Sequence, residues 1–239
     1  MLSLDHVSFS VSTENGKKQI LKNVSFTIDR PFTVITGPNG GGKSTIAKLI
    51  AGIYRPDSGR ICLNGKDITD LGVTERAKSG ISYAFQTPVR FKGITVSDIL
   101  KIAAGRDLSV AESCEFLSSV GLCARDYLDR EINNSLSGGE LKRIEIATVL
   151  ARKTPFAVFD EPEAGIDLWS FNSLIKVFEN MRDAVHGSIV IISHQERIIR
   201  MADRIMVIRD GKVAALGTKE EVYPMLMESN LPTECEKLR

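Results

Sequence analysis

The sequence predicts an α/β fold built on a parallel core sheet. Continuous apolar runs such as Phe32–Thr36 and Ser188–Ile192 have the composition of buried strands, and they alternate with segments of helical spacing. Residues 37–45, directly after the first of these runs, read Gly-Pro-Asn-Gly-Gly-Gly-Lys-Ser-Thr. This is a phosphate-binding loop pattern, and the helical spacing that follows it points a helix N-terminus at the loop.

Composition favours an ordinary globular protein. The chain has 239 residues, 43% of them hydrophobic and 26% charged, with a formal net charge of +1. That balance indicates no nucleic-acid partner, and no apolar run is long enough to insert into a membrane. The four cysteines are widely separated, as expected for isolated thiols in a reducing cytoplasm: Cys62, Cys114, Cys123 and Cys235. We therefore expect a cytoplasmic protein.

We expect one domain over residues 1–239 with two parts. Alternating segments near the start, with Asn15-Gly16 between them, predict an antiparallel β subdomain that leads into the core. Helical spacing dominates residues 88–152, which we predict to be an inserted α-helical subdomain. The nucleotide-binding core is then residues 1–87 and 153–239.

The phosphate-binding loop supplies the first set of candidate ligand contacts. Glycines lack the Cβ atoms that would keep backbone N–H groups away from an anion. Lys43 would bring a point charge to the outer phosphates, and Ser44 would offer its hydroxyl to Mg²⁺. The alternative is a flexible glycine turn, which the flanking strand and helix disfavour. The predicted contacts are Gly37, Pro38, Asn39, Gly40, Gly41, Gly42, Lys43, Ser44 and Thr45.

Four more polar residues follow predicted core strands. Ligands bind beyond the carboxyl ends of parallel strands, so Asp160 would lie near the phosphates and hold Mg²⁺. Glu161 could accept a proton from an attacking water, and Gln86 could reach the metal and that water. The alternatives are a solvated acidic turn for the acids and a structural histidine for His194, and for His194 both alternatives stay open.

A second candidate anion site begins a helix far along the chain. Ser137 and Glu140 form a capping box, which the start of any helix can use. Gly138 and Gly139 cost about 1 kcal/mol each in a helical turn, so close approach of a ligand explains them better than capping does. One chain need not bring this site and the phosphate-binding loop together.

Along nearly its whole length the chain resembles ABC-type ATPases, a branch of the P-loop NTPase fold, because these motifs occur in that family's order. The resemblance implies ATP and Mg²⁺ as cofactors, Glu161 as catalytic base, His194 as switch histidine and Gln86 as the Q-loop residue. It also implies an ATP-dependent homodimer in which Ser137, Gly138 and Gly139 of one copy face the ATP of the other. The aspartate of the D-loop would be Asp167, and the phosphate and magnesium contacts would be Lys43, Ser44 and Thr45.

Shorter segments resemble the SufC branch, the ATPase of iron–sulfur cluster assembly. They are residues 84–89, residues 193–198, and Glu140 followed by Lys142-Arg143 and Glu145; Val11, near the position of an adenine-stacking aromatic, agrees. The resemblance implies a soluble SufB/SufD-like scaffold as partner. One alternative is the nucleotide-binding subunit of a membrane transporter, peripheral to the membrane and bound to transmembrane subunits. Another is a nucleotide-sensing module that does not hydrolyse ATP. Residues 87–104 should select the partner.

Overall fold

Two β-sheets form the centre of the protein, with helices on both sides of the larger sheet. The structure is a computed structural model that describes residues 1–14, 16–184 and 187–229. The strands are β1 (Leu2–Thr13), β2 (Gly16–Ile28), β3 (Phe32–Thr36), β4 (Ser58–Leu63), β5 (Lys66–Asp67), β6 (Ile81–Ala84), β7 (Phe156–Asp160), β8 (Ser188–Ile192), β9 (Arg204–Arg209) and β10 (Lys212–Thr218). The helices are α1 (Lys43–Ala51), α2 (Val73–Lys78), α3 (Val96–Ala104), α4 (Val110–Ser119), α5 (Ala124–Tyr127), α6 (Gly138–Arg152), α7 (Leu168–Ala184), α8 (Glu196–Arg200) and α9 (Lys219–Ser229).

The six-stranded sheet confirms the predicted parallel core. Its strand order is β10-β9-β3-β8-β7-β6, and every neighbouring pair from β9 to β6 is parallel. Only the edge strand β10 is antiparallel, joined to β9 by a tight turn at Asp210-Gly211. Both turn residues have positive φ, 52° and 76°, as a two-residue hairpin of this kind requires.

The four-stranded sheet confirms the predicted antiparallel unit. Its order is β2-β1-β4-β5, and β1 pairs in antiparallel register with β2 and β4. Of the predicted Asn15-Gly16 turn, Asn15 lies outside the described residues. The connection therefore stays a prediction at that residue.

Alternate residues of the central strands supply two hydrophobic cores, one on each face of the six-stranded sheet. Val34 of β3 packs with residues from α3, α4, α6 and α7, whereas its neighbour Ile35 packs with residues of α1 and the antiparallel sheet. In β7, Phe159 and Val158 divide in the same way. The period of two along a strand thus explains why continuous apolar runs mark strands buried on both faces.

The helical block differs in detail from the sequence prediction. Its first helix, α3, begins at Val96, and the chain before it pairs with residues 130–132 instead. In the sequence, Leu141, Ile144, Ala147 and Leu150 fall on one face of α6, which predicts an amphipathic helix with one buried side. In the structure it is buried on several sides, because it packs against α3, α4 and β6 together, and even Lys142 is fully buried. The division into core and helical subdomain stays a prediction.

Several expectations about single residues concern the surface and the thiols. Cys62, Cys114 and Cys123 are free thiols, and Cys235 lies outside the described residues. His6 and His186 do not follow a predicted core strand and are expected at the surface. His6 is exposed, and His186 lies outside the described residues. No helix that the structure describes has the length and apolar character needed to span a membrane.

A buried arginine fixes the end of the helix that follows the phosphate-binding loop. Arg76 of α2 is 1% exposed. Its guanidinium donates to the carbonyls of Leu49 and Ile50 in the last turn of α1, and to those of Thr69 and Leu71. The last carbonyls of a helix have no partner within the helix, so Arg76 supplies one from α2.

We predict that Arg76→Met lowers the free energy of unfolding by about 3 kcal/mol, because it leaves several buried carbonyls without a donor. Urea unfolding followed by circular dichroism measures the change. The matched control is Arg55→Met, since the Arg55 side chain is 74% exposed and pairs with an equally exposed Asp70. An exposed pair of this kind contributes about 0–1 kcal/mol. Equal losses in the two variants would contradict the role assigned to Arg76.

Candidate functional site

One cavity lies at the carboxyl ends of four adjacent parallel strands. The phosphate-binding loop follows β3, Gln86 follows β6, Glu161 follows β7 and His194 follows β8. The cavity has a volume of about 430 Å³. Its lining residues are Ile20, Asn39, Gly40, Gly42, Lys43, Ser44, Thr45, Gln86, Glu161 and His194.

Two glycines of the phosphate-binding loop are required by the protein around them. Gly37 has φ 131°, and a Cβ there would lie 2.1 Å from the carbonyl oxygen of Ile208. Gly42, the N-cap of α1, has φ 107°, and a Cβ there would lie 2.6 Å from Leu21 Cδ2. The sequence interpretation explained these glycines by approach of an anion. The structure adds that the loop is pressed against β9 and β2.

Lys43 closes the loop on itself. Its Nζ donates to the carbonyl oxygens of Gly37, at 2.8 Å, and Pro38, at 3.0 Å. Burial lowers the pKa of Lys43, while the nearby charges of Glu161 and Asp160 raise it. Since Lys43 also begins α1, the ammonium and the helix N-terminus both make this end of the cavity favourable for an anion.

Ser44 and Asp160 form the candidate magnesium site. The Ser44 hydroxyl donates to Asp160 Oδ1 at 2.9 Å, and the Tyr83 hydroxyl donates to Asp160 Oδ2 at 3.0 Å. Asp160 is 1% exposed, and its burial raises its pKa although both hydrogen bonds lower it. Within the described parts of the chain, no three His, Cys, Asp or Glu side chains group closely enough to hold a metal. The donor set still fits Mg²⁺, which takes one or two carboxylates and completes its shell with water and phosphate.

Glu161 lies between two side chains from neighbouring strands. Gln86 Nε2 donates to its Oε2 at 2.6 Å, and His194 Nε2 lies 3.2 Å from its Oε1. The backbone of Glu161 has φ 47°, an uncommon value for a residue with a side chain, and its N–H donates to Ile192 O at 3.0 Å. Such strain is typical of functional sites. This geometry favours the functional alternative for His194 over the structural one.

A half-buried acid that the sequence analysis missed, Glu163, holds the turn that carries His194. Ser193, fully buried, donates through its hydroxyl to Glu163 Oε1 at 2.5 Å and accepts from the N–H of Gln195 at 3.0 Å. Glu163 Oε2 is buried without a hydrogen-bond partner. Burial raises the pKa of Glu163, although the Ser193 hydroxyl lowers it. The adjacency of β7 and β8 was the signal that could have placed these two residues together.

The predicted capping box at the start of α6 is present. The Glu140 N–H donates to Ser137 Oγ at 3.2 Å, and the Ser137 N–H donates to Glu140 Oε2 at 2.6 Å. Burial raises the pKa of Glu140, but the hydrogen bonds from Tyr127 and Ser137 and the nearby charge of Arg130 outweigh this effect. The net pKa is lowered to about 2. The carboxylate is therefore charged and held in the cap.

Nothing in the part of the chain that the structure describes requires glycine at the two positions Gly138 and Gly139. A Cβ at Gly138 would meet no atom within 4 Å, and one at Gly139 would make only an ordinary contact, 3.6 Å from Gly165 O. Residues 137–139 do not line the cavity of the phosphate-binding loop. Neither does Asp167, whose Oδ1 accepts from the N–H of Ser170 at 3.0 Å near the start of α7.

Comparison with known proteins places this geometry in a family. The family model described as "ABC transporter" matches residues 21–164. An uncharacterized ABC transporter ATP-binding protein of Methanocaldococcus jannaschii is 41% identical over 216 residues, covering 87% of this chain and 86% of the relative. The chain belongs to the ABC transporter ATPase family. It binds ATP, uses Mg²⁺ and is an ATPase.

Other proteins that are similar to this ABC ATPase are named for particular import or export systems. The lipopolysaccharide export ATP-binding protein LptB of Acidithiobacillus ferridurans is 33% identical, with 89% of this chain and 90% of the relative covered. The sulfate/thiosulfate import ATP-binding protein CysA of Synechococcus elongatus is 35% identical, but this chain spans only 62% of it. A dimeric ATP-binding cassette in a post-hydrolysis state bound to ADP and Pi is 24% identical with a TM-score of 0.82, covering 92% of this chain and 99% of that one. That structure confirms the P-loop NTPase fold.

The raised pKa of Glu163 predicts that the stability of this ABC ATPase depends on pH. Because burial raises its pKa, its contribution is fully present below the pKa of an unfolded glutamate and is lost as the pH rises through the folded-state value. We predict that the free energy of unfolding of Glu163→Gln falls less between about pH 5 and pH 8 than that of the parent, because glutamine stays neutral. Urea titrations at both pH values measure this, with the exposed Glu179→Gln as control. Parallel curves for parent and Glu163→Gln would refute the assignment.

Proposed function

We propose that two copies of this ABC ATPase close around two ATP molecules and hydrolyse them as nucleotide-binding subunits of a membrane transporter. The observation that carries the catalytic part is the position of Glu161. Its carboxylate lies at the mouth of the phosphate-binding loop, with Gln86 at 2.6 Å and His194 at 3.2 Å. A base oriented by two neighbours beside a phosphate site is the arrangement that hydrolysis of a phosphoanhydride needs.

Each side chain then has a distinct role. The N–H groups of residues 37–45 and the ammonium of Lys43 bind the phosphates, while Ser44, Gln86 and Asp160 hold Mg²⁺. When bound, the metal neutralises charge on the phosphate oxygens. Glu161 positions the attacking water in line with the γ-phosphate and accepts its proton, and His194 keeps Glu161 in place. Most of the catalysis comes from positioning and charge stabilisation.

The open glycines of α6 support the homodimer. Gly138 is exposed, a Cβ added there would meet no atom of the described residues within 4 Å, and it begins a helix whose N-terminus favours an anion. The ATP held by a second copy would explain why neither Gly138 nor Gly139 carries a side chain. Asp167, which also lies outside the cavity of its own chain, belongs to the same interface in this proposal. A similar cassette is itself dimeric in its solved structure.

Exposed apolar side chains near Gln86 support a partner protein at residues 87–104. Val89 is 44% exposed, Phe91 38% and Ile102 65%. Exposed apolar side chains of this size on neighbouring segments favour a surface that binds another protein. Similar proteins serve import and export systems, so a transmembrane transporter subunit is the better supported partner, with this chain peripheral to the cytoplasmic face of the membrane.

The SufC-like role, which the sequence analysis put first, is the second candidate. Its support is the segments at residues 84–89 and 193–198 and the Lys142 and Glu145 pair in α6. A soluble SufB/SufD-like scaffold would occupy the same surface at residues 87–104. The nucleotide-sensing alternative is less well supported, because a module that does not hydrolyse ATP would not need a base held between Gln86 and His194.

The base assignment predicts that Glu161→Gln lowers the rate of phosphate release by about 100-fold or more while nucleotide affinity stays close to that of the parent. The reason is that glutamine keeps the shape of the side chain but cannot take the proton. Phosphate release and binding of a fluorescent ATP analogue measure the two quantities. Retained turnover would remove Glu161 from the base role.

The same variant tests the dimer. ATP should convert Glu161→Gln from monomer to dimer, because hydrolysis no longer opens the closed state. Light scattering measures the change in mass. Adding Gly138→Leu should abolish this dimer without loss of stability, since the new side chain has open space in the monomer and a better helix propensity. A double variant that still dimerises would contradict the interface.

The proposed transmembrane partner can be tested directly. Tagged full-length protein from its native cells should retain a protein with several apolar segments of about 20 residues, and Ile102→Asp should release it. The matched control is Val110→Asp, because Val110 is 72% exposed but lies outside residues 87–104. Retention of a soluble partner lacking such segments would favour the SufC-like role instead.

A further inference from the structure

Helix α6 carries a lysine whose burial the proposed chemistry does not explain. Lys142 is 0% exposed, although it lies only five residues after the N-cap Ser137. Its Nζ contacts the carbonyl oxygen of Phe85 and lies 3.2 Å from the carbonyl oxygen of Gln86. Burying an ammonium is costly unless acceptors surround it, and here both main-chain acceptors belong to the loop after β6.

A second side chain of α6 binds the same loop, as a hydrogen-bond acceptor where Lys142 is a donor. Glu145 Oε1 accepts from the N–H of Phe85 at 2.7 Å. Its Oε2 lies 3.4 Å from Lys142 Nζ, at ion-pair distance but outside good hydrogen-bond geometry. Lys142 and Glu145 are three positions apart and therefore share a face of the helix. Together they engage both polar groups of the Phe85 main chain.

The loop needs such support because it has just left the sheet. The ladder between β6 and β7 ends at the pair Ala84 and Phe159. Phe85 and Gln86 lie beyond the last pair of this ladder, and both residues are exposed. Beyond this point the Gln86 side chain donates to Glu161 Oε2 at 2.6 Å. The position of that amide depends on the main chain that α6 holds.

We propose that Lys142 and Glu145 form a clamp on the main chain of Phe85 and Gln86, and that α6 thereby positions Gln86 against the carboxylate of Glu161. Both are positioning residues for ATP hydrolysis rather than catalytic residues. The inference rests on the proposed roles of Gln86 and Glu161 and extends them. Because α6 begins at Gly138, contact between that helix end and the partner copy's ATP would be transmitted through the clamp to Gln86.

Replacement by an apolar side chain of similar length tests the clamp. Lys142→Met keeps the approximate length of the side chain but removes the donor to the Phe85 and Gln86 carbonyls, while Glu145 still accepts from the Phe85 N–H, so the loop keeps one anchor. Glu145→Leu removes the other anchor. We expect each variant to lower the rate of phosphate release by about tenfold while the affinity for a fluorescent ATP analogue changes by less than about twofold. Lys153→Met, an exposed lysine next to the end of α6, is the matched control and should behave as the parent.

Two further readouts separate positioning from a structural role. Since the clamp acts through Gln86, adding Lys142→Met to Gln86→Ala should lower the rate of phosphate release by less than about a further twofold. If the two residues acted independently, the double variant would instead show the full loss of both. Hydrogen exchange should also accelerate at Phe85 and Gln86 in Lys142→Met and Glu145→Leu while α6 itself stays protected.

The clamp is refuted if both variants release phosphate within about twofold of the parent rate, or if the loss is equally large in the Gln86→Ala background. Should one variant fail to fold, the other carries the same test. Failure of the proposed function is distinguishable, because the parent would then release no phosphate or Glu161→Gln would remain active. In that case the exchange rates at Phe85 and Gln86 still decide whether the clamp exists.

Discussion

The pairing of β3, β8, β7 and β6 in one parallel sheet is the constraint on which the candidate site depends. Parallel strands end at a common edge, so four separate segments of the chain deliver polar residues to one place. The register is tight at that edge, where Asp160 is opposite Ile192 and the N–H of Glu161 donates to the carbonyl of Ile192. Both hydrophobic cores hold this sheet, one on each face, so the positions of the site residues are set by packing that extends across the whole protein.

Burial of polar groups at this edge gives the site its electrostatic character. Asp160 and Glu163 both have pKa values raised by burial, and each accepts a hydrogen bond from a hydroxyl that offsets part of the cost. Carboxylates in this condition are stabilised by a cation, and a magnesium ion held by Ser44 and Asp160 would supply one. Lys43 shows the complementary effect, because burial lowers its pKa and the loop carbonyls occupy its donors. The site therefore holds charges of both signs that a metal–polyphosphate pair would complement.

Local sequence pattern was enough to predict the strands, the phosphate-binding loop and the parallel order of the core, because each depends on periodicity or on residues close in the chain. Tyr83, Glu163 and Lys142 escaped prediction for a common reason. Each acts on a residue more than 25 positions away, Tyr83 on Asp160, Glu163 on Ser193 and Lys142 on Phe85, and the contact exists only once the strands and α6 are packed. The burial of α6 on several sides was missed for the same reason, since its sequence shows one apolar stripe and its neighbours supply the rest.

Gln86 is the point at which these constraints meet. Its side chain reaches Glu161, its main chain is held by Lys142 of α6, and the segment after it carries the exposed Val89 and Phe91. A displacement of that segment by a partner and a displacement of α6 by a second copy would therefore act on the same amide. The exposed loop is the element that can move with little loss of packing, whereas β7 and Glu161 are fixed by the sheet. Coupling between partner and hydrolysis then requires a change at Gln86 alone, because the carboxylate it contacts stays in place.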